Sequence, residues 1–93
     1  MKARKRPVEV EAFHWTGDEK QTEDPEWIQE ALKKGHAVVM KGYEGNEPPL
    51  LLIRTPEGVM HAKPGAYIIL GTAGEIYPVK EEIFPQIYEI IEE

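Results

Sequence analysis

Three turn signals crowd the second half of this chain and leave its apolar residues room for little except short antiparallel strands. Pro56-Glu57-Gly58, Pro64-Gly65 and Ala73-Gly74 separate the runs Leu50–Thr55, Val59–Ala62, Tyr67–Leu70 and Glu75–Val79. Glycine takes the positive φ that tight turns demand, and proline presets the first corner of a turn. Runs this short, so punctuated, read as strands rather than helices. The spacing predicts an α+β domain: a curved, mostly antiparallel sheet forming a barrel-like meander, packed by one main helix.

The first half supplies that helix. Asp24 is placed to cap it, Pro25 suits its first position, and Glu26 favours the positive end of its dipole. Trp27, Ile28, Ala31 and Leu32 form one apolar stripe, and Lys33, Lys34 and Gly35 suit the helix end. A helix of about ten residues does not persist alone, so the stripe must pack on the sheet. Two further strands are expected, Pro7–Trp15 and His36–Tyr43, with polar linkers at Thr16–Asp24 and Gly42–Pro49.

Within Pro7–Trp15 the period of two breaks. Val8, Val10 and Ala12 alternate with Glu9 and Glu11, but Phe13 and Trp15 then take the parity of the glutamates. Either a bulge flips the faces or the second half of the strand is covered on both sides. At the other end, Pro85 interrupts a helical stripe of isoleucines and aromatics. A short helical turn over Lys80–Phe84 followed by a strand over Gln86–Ile91 is the expected reading, with a helix starting near Pro85 as the alternative. The two terminal strands then either pair with each other or leave an edge for a second copy, giving a homodimer.

Ninety-three residues suffice for one domain, assigned to 7–93, behind a flexible basic arm over 1–6. Such a domain buries about 60–65% of its unfolded surface, so the core is thin. There is no cysteine, which removes disulfides, thiolate zinc sites and cysteine nucleophiles, and fits a cytoplasmic setting. No apolar run approaches the ~20 residues of a membrane-spanning helix, and Glu9 and Glu11 stand where a signal peptide would be apolar. The net charge is −6, yet Lys2, Arg4, Lys5 and Arg6 carry +4, so the remainder carries −10. A body that acidic repels duplex nucleic acid.

Residues able to carry chemistry are present but scattered. His14, His36 and His61 show no metal-type spacing, and no metal site or cofactor is expected. Neighbouring carboxylates at Glu81-Glu82 and Glu92-Glu93 fall on expected surface turns and a terminus. Serine is absent, which excludes a serine triad. Gly65, Gly71 and Gly74 fit turns rather than a phosphate loop. No catalytic residue is assigned. Among the aromatics, Trp15, Tyr43 and Tyr67 are the candidate partner-binding residues, because they fall on different strands as in a stacking platform.

Pro64-Gly65-Ala66-Tyr67-Ile68-Ile69, then Gly74-Glu75-Ile76-Tyr77-Pro78-Val79-Lys80, Ile83-Phe84 and Tyr88-Glu89, together with Arg4–Ala12 and Trp15-Thr16-Gly17, resemble a family of small phage and prophage proteins of unknown function. That family carries a Pro-Gly-Asp-Tyr turn, a Gly-Glu-x-Tyr-Pro segment and a closing Phe…Tyr-Glu. The resemblance covers about half the chain; the stretch 18–49 does not take part. Ala66 stands where the family has aspartate, so a role resting on that carboxylate is lost here. The resemblance implies a viral accessory protein acting in the host cytoplasm on a host protein. The resulting expectation is a non-enzymatic protein binder, with a small-ligand or nucleotide-binding module as the alternative, its pocket lying between the sheet and the Trp27 helix.

Overall fold

The computed structural model describes residues 1–4, 6–18, 21, 24–41 and 47–91. The chain is α+β, with two separate antiparallel sheets of three strands each and one main helix. The first sheet orders β1 (Glu11–His14), β5 (Tyr67–Leu70) and β6 (Ile76–Val79). The second orders β2 (Ala37–Met40), β3 (Leu50–Thr55) and β4 (Gly58–Ala62). The barrel-like meander is thus corrected: the turn at Pro64-Gly65 does not fold β4 back onto β5. It carries the chain from one sheet to the other. The Ala66 amide bonds the Lys63 carbonyl, while Trp15 takes the next two bonds: its amide donates to the Ala66 carbonyl and its carbonyl accepts from Gly65. Those partners come from a distant part of the chain, which local turn chemistry does not reveal.

Helix α1 (Glu26–Lys34) ends as its sequence predicts, on Gly35 at φ 79°. Its start differs. Pro25 itself is the boundary residue, with no side-chain cap, and the Asp24 carbonyl accepts a bond from Gln29 Nε2 at 2.6 Å. Asp24 is therefore one position too early for its carboxylate to reach the free amides. Ile28 and Ala31 are buried, and Trp27 meets Phe13 edge-on at 5.4 Å.

Strand β1 starts later than the Val8/Val10 alternation suggests. Glu11 pairs with Leu70, where β5 ends, and Gly71 then bonds back to Glu75 to open the next turn. Residues 7–10 run past the end of their partner and carry no strand. At the C-terminus the expected strand over Gln86–Ile91 is replaced by one helical turn, α2 (Phe84–Ile87), followed by irregular backbone over 88–91. Pro85 sits in the first turn, where its missing amide is not needed, and Tyr88 turns extended and stops the helix. The two chain ends therefore do not pair as strands; β1 pairs with β5 instead.

The first sheet is covered on both sides, which explains the broken alternation. Phe13, Trp15 and Ile68 join Ile28, Leu51 and Ile53 in a core shared with α1 and the second sheet. Ile69 is equally buried but faces the other way, toward Phe84 and the tyrosines of the C-terminal segment. No helix among the described residues is long and apolar enough to cross a membrane.

Candidate functional site

On the outer side of the first sheet four rings form a ladder. His14 stacks on Tyr67 at 4.6 Å, Tyr67 on Phe84 at 3.8 Å, and Phe84 on Tyr88 at 5.2 Å. His14 Nε2 is 3.2 Å from the Glu81 carboxylate, and the hydroxyls of Tyr77 and Tyr88 are 2.8 Å apart. These contacts strap residues 80–88 across the sheet. Burial, the Tyr88 hydroxyl and the Glu75 carboxylate push Tyr77 up from 10.0 to about 12. The fold therefore favours the neutral phenol. Its contribution to stability is complete below pH 10 and is lost as pH rises through about 12. In a phenolate absorbance titration, the difference between the wild-type chain and Tyr77→Phe should titrate near pH 12. A difference that titrates near pH 10 would contradict this placement.

Of the candidate aromatic residues, Trp15 and Tyr67 stand on opposite sides of the first sheet. Trp15 lies in the core, while Tyr67 lies on the opposite side of the sheet with a ring against each of its faces. Tyr43 falls outside the described residues. Ala66 is buried in the core, so an aspartate at this position would be a carboxylate among apolar side chains.

Two open grooves flank the core. One, of about 390 Å³, runs beneath α1 between Phe13, Trp15, Ile28 and Leu32, with Asp18 and Gln21 at its rim. Its polar rim is already engaged: the Gln21 amide oxygen accepts the Thr16 amide at 2.6 Å, its nitrogen donates to the His14 carbonyl, and Asp18 accepts the Thr16 hydroxyl. The other, of about 480 Å³, lies between the sheets near His36, Arg54, Thr55 and Glu75. Two buried polar atoms, Trp27 Nε1 and Glu75 Oε2, have no hydrogen-bond partner among the described residues. No group of three or more metal-ligating side chains occurs among them.

The third feature is a face. Along β3, Leu51 and Ile53 point into the core, so Leu50, Leu52 and Arg54 point outward. Cross-strand register adds Met40 beside Leu50, Val38 and His61 on either side of Leu52, and Val59 beside Arg54. The Arg54 amide bonds the His36 carbonyl and brings His36 onto the same row. Val38, Met40 and Val59 remain 47%, 51% and 65% exposed. The strand positions on this side hold Arg54 and His61 but no carboxylate, on a chain of net charge −6. This surface was missed in the sequence, because it exists only once β2, β3 and β4 are in register. The usable signal was the unbroken apolar run of β3, which is too apolar for a strand covered on one side only.

No protein-family model, no curated protein and no solved structure matches this chain.

Proposed function

We propose that this chain is a non-enzymatic binding module of phage or prophage type that docks a host protein in the host cytoplasm. The observation that carries the reading is the outward face of β2-β3-β4. Exposed apolar side chains gathered on one sheet face, with Arg54 beside them, mark a protein-docking surface. Charge complementarity selects a partner that presents an acidic, apolar segment. The resemblance of the two chain ends to small phage and prophage proteins supports the viral setting.

The test compares tagged wild-type chain with Val38→Glu/Val59→Glu, expressed in the host. Exposed substitutions of this kind cost little stability, within about 0.5 kcal/mol. The wild-type chain should recover a specific protein that the double variant loses at least tenfold, while Leu32→Glu, at the α1 groove, retains it. Equal recovery by the wild-type chain and the double variant counts against the reading.

The groove beneath α1 favours a second reading, a small-ligand module. Its ~390 Å³ is at the low end for ligand pockets. Because Asp18 and Gln21 are held by local bonds, such a ligand would be bound mainly by apolar contact.

A further inference from the structure

Strand β1 stands at the end of its sheet, paired on one edge with β5 and open on the other. The Trp15 amide and carbonyl bond toward β5, at Ala66 and Gly65. Backbone groups alternate along a strand, so those of Ala12 and His14 point away from β5. The same alternation, continued toward the amino terminus, aims Val8 and Val10 that way too. The Gln21 side chain closes one end of this open edge. Its nitrogen donates to the His14 carbonyl, and its oxygen accepts the Thr16 amide. The outward groups of Val8, Val10 and Ala12 have no hydrogen-bond partner among the described residues.

These three open positions are symmetric about Val10. An antiparallel ladder around a two-fold axis at Val10 sets Val8 opposite Ala12 of a second copy, and Val10 opposite its own equivalent. Every outward amide and carbonyl of residues 8–12 then finds a partner, and none meets a position that Gln21 holds. Val8, 56% exposed, gains a cross-strand neighbour. The same register carries Arg6 toward His14 and the Glu81 carboxylate of the second copy, and Arg4 toward Thr16 and Asp18. It also accounts for the strand alternation of Val8 and Val10, which continues although β5 stops opposite Glu11. We infer that two copies of this chain pair through residues 8–12 and join their first sheets into one of six strands. On the other side of that sheet Glu9 faces Glu11 of the second copy, and the like charges keep the pairing weak and reversible. The edge belongs to the first sheet, so the docking face on the second is a separate surface.

Sedimentation equilibrium of the full chain at up to about 1 mM should show a monomer–dimer equilibrium, because so short a ladder is far smaller than a standard interface. Val10→Pro removes the amide at the axis and should raise the dimer dissociation constant at least tenfold. Glu9→Gln removes both like-charge pairs and should lower it a few-fold. The chain has no cysteine, so an introduced one reports the register. In Val10→Cys the two thiols meet at the axis, with Cα atoms about 5.5 Å apart and within disulfide reach. In Val8→Cys they stand about 14 Å apart, four residues along the ladder. Oxidised glutathione should therefore cross-link Val10→Cys at least tenfold faster than Val8→Cys. Residues 8–10 lie outside every helix and strand, so these variants leave the monomer's fold intact. A dimer indifferent to Val10→Pro, or equal cross-linking of the two cysteine variants, overturns the inference. So does a chain that stays monomeric at that concentration, whatever foreign strand its edge then accepts.

Discussion

Ile68→Ala and Ile69→Ala are each expected to lower the unfolding free energy by about 2–5 kcal/mol, and to do so through different cores. Both side chains are fully buried, although they are neighbours on one strand. Ile68 belongs with Phe13, Trp15 and Ile28, whereas Ile69 pairs across to Tyr77 on the side that α2 covers. A domain of 93 residues has roughly 5–14 kcal/mol to lose, so either loss is a large part of the whole. Urea unfolding measures the size, and near-ultraviolet circular dichroism identifies the core. Ile68→Ala should change the tryptophan bands, because Trp15 and Trp27 pack on its side. Ile69→Ala should change the tyrosine bands of Tyr67 and Tyr77. Identical spectral changes in the two variants would show that the sheet does not separate two cores.

Phe84→Ala is the second large effect. Phe84 is stacked between Tyr67 and Tyr88 and is the buried side chain of α2. Removing a buried phenylalanine costs about 3–5 kcal/mol, which for a domain this size lowers the melting temperature by more than ~10 °C. The same change removes the support beneath Tyr88, and with it the burial and the hydroxyl contact that hold Tyr77 at about 12. Tyr77 should then titrate closer to 10 in the folded variant. A melting temperature within a degree or two of wild type would mean that the strap over residues 80–88 adds nothing to the fold.

What could be read directly from the sequence was local. Strands β3 and β5 fall on the expected residues, because each apolar run is closed at both ends by proline, glycine or a polar turn. Helix α1 ends where Gly35 allows the left-handed turn. Apart from the missing Asp24 cap of α1, the failures are questions of partner. Val8 and Val10 have the alternation of a strand, but β5 stops opposite Glu11. Pro64-Gly65 makes the turn its sequence promises, closed by the Ala66 amide on the Lys63 carbonyl, yet the bonds on either side go to Trp15 rather than to a hairpin partner. Pro85 was expected to divide helix from strand, but it opens the helical turn itself, and residues 89–91 join no strand. The candidate site was hidden for the same reason. His36, Arg54 and His61 are far apart in sequence and become neighbours only through the register of β2, β3 and β4. Trp15 and Tyr67, chosen because they fall on different strands, stand on opposite sides of the first sheet, Trp15 in the core and Tyr67 between His14 and Phe84.

The crossing at Pro64-Gly65 also sets an order of events on the ribosome. Every ladder of the second sheet closes within residues 37–62, so that sheet can form as soon as those residues have emerged. The first sheet must bring residue 11 against residue 70, a closure across most of the chain whose entropic cost comes before any contact repays it. The amino-terminal strand is thus made first and paired last. Until β5 is synthesised, the nascent chain carries Phe13 and Trp15 uncovered, so translation speed and chaperone access bear most heavily on this short stretch.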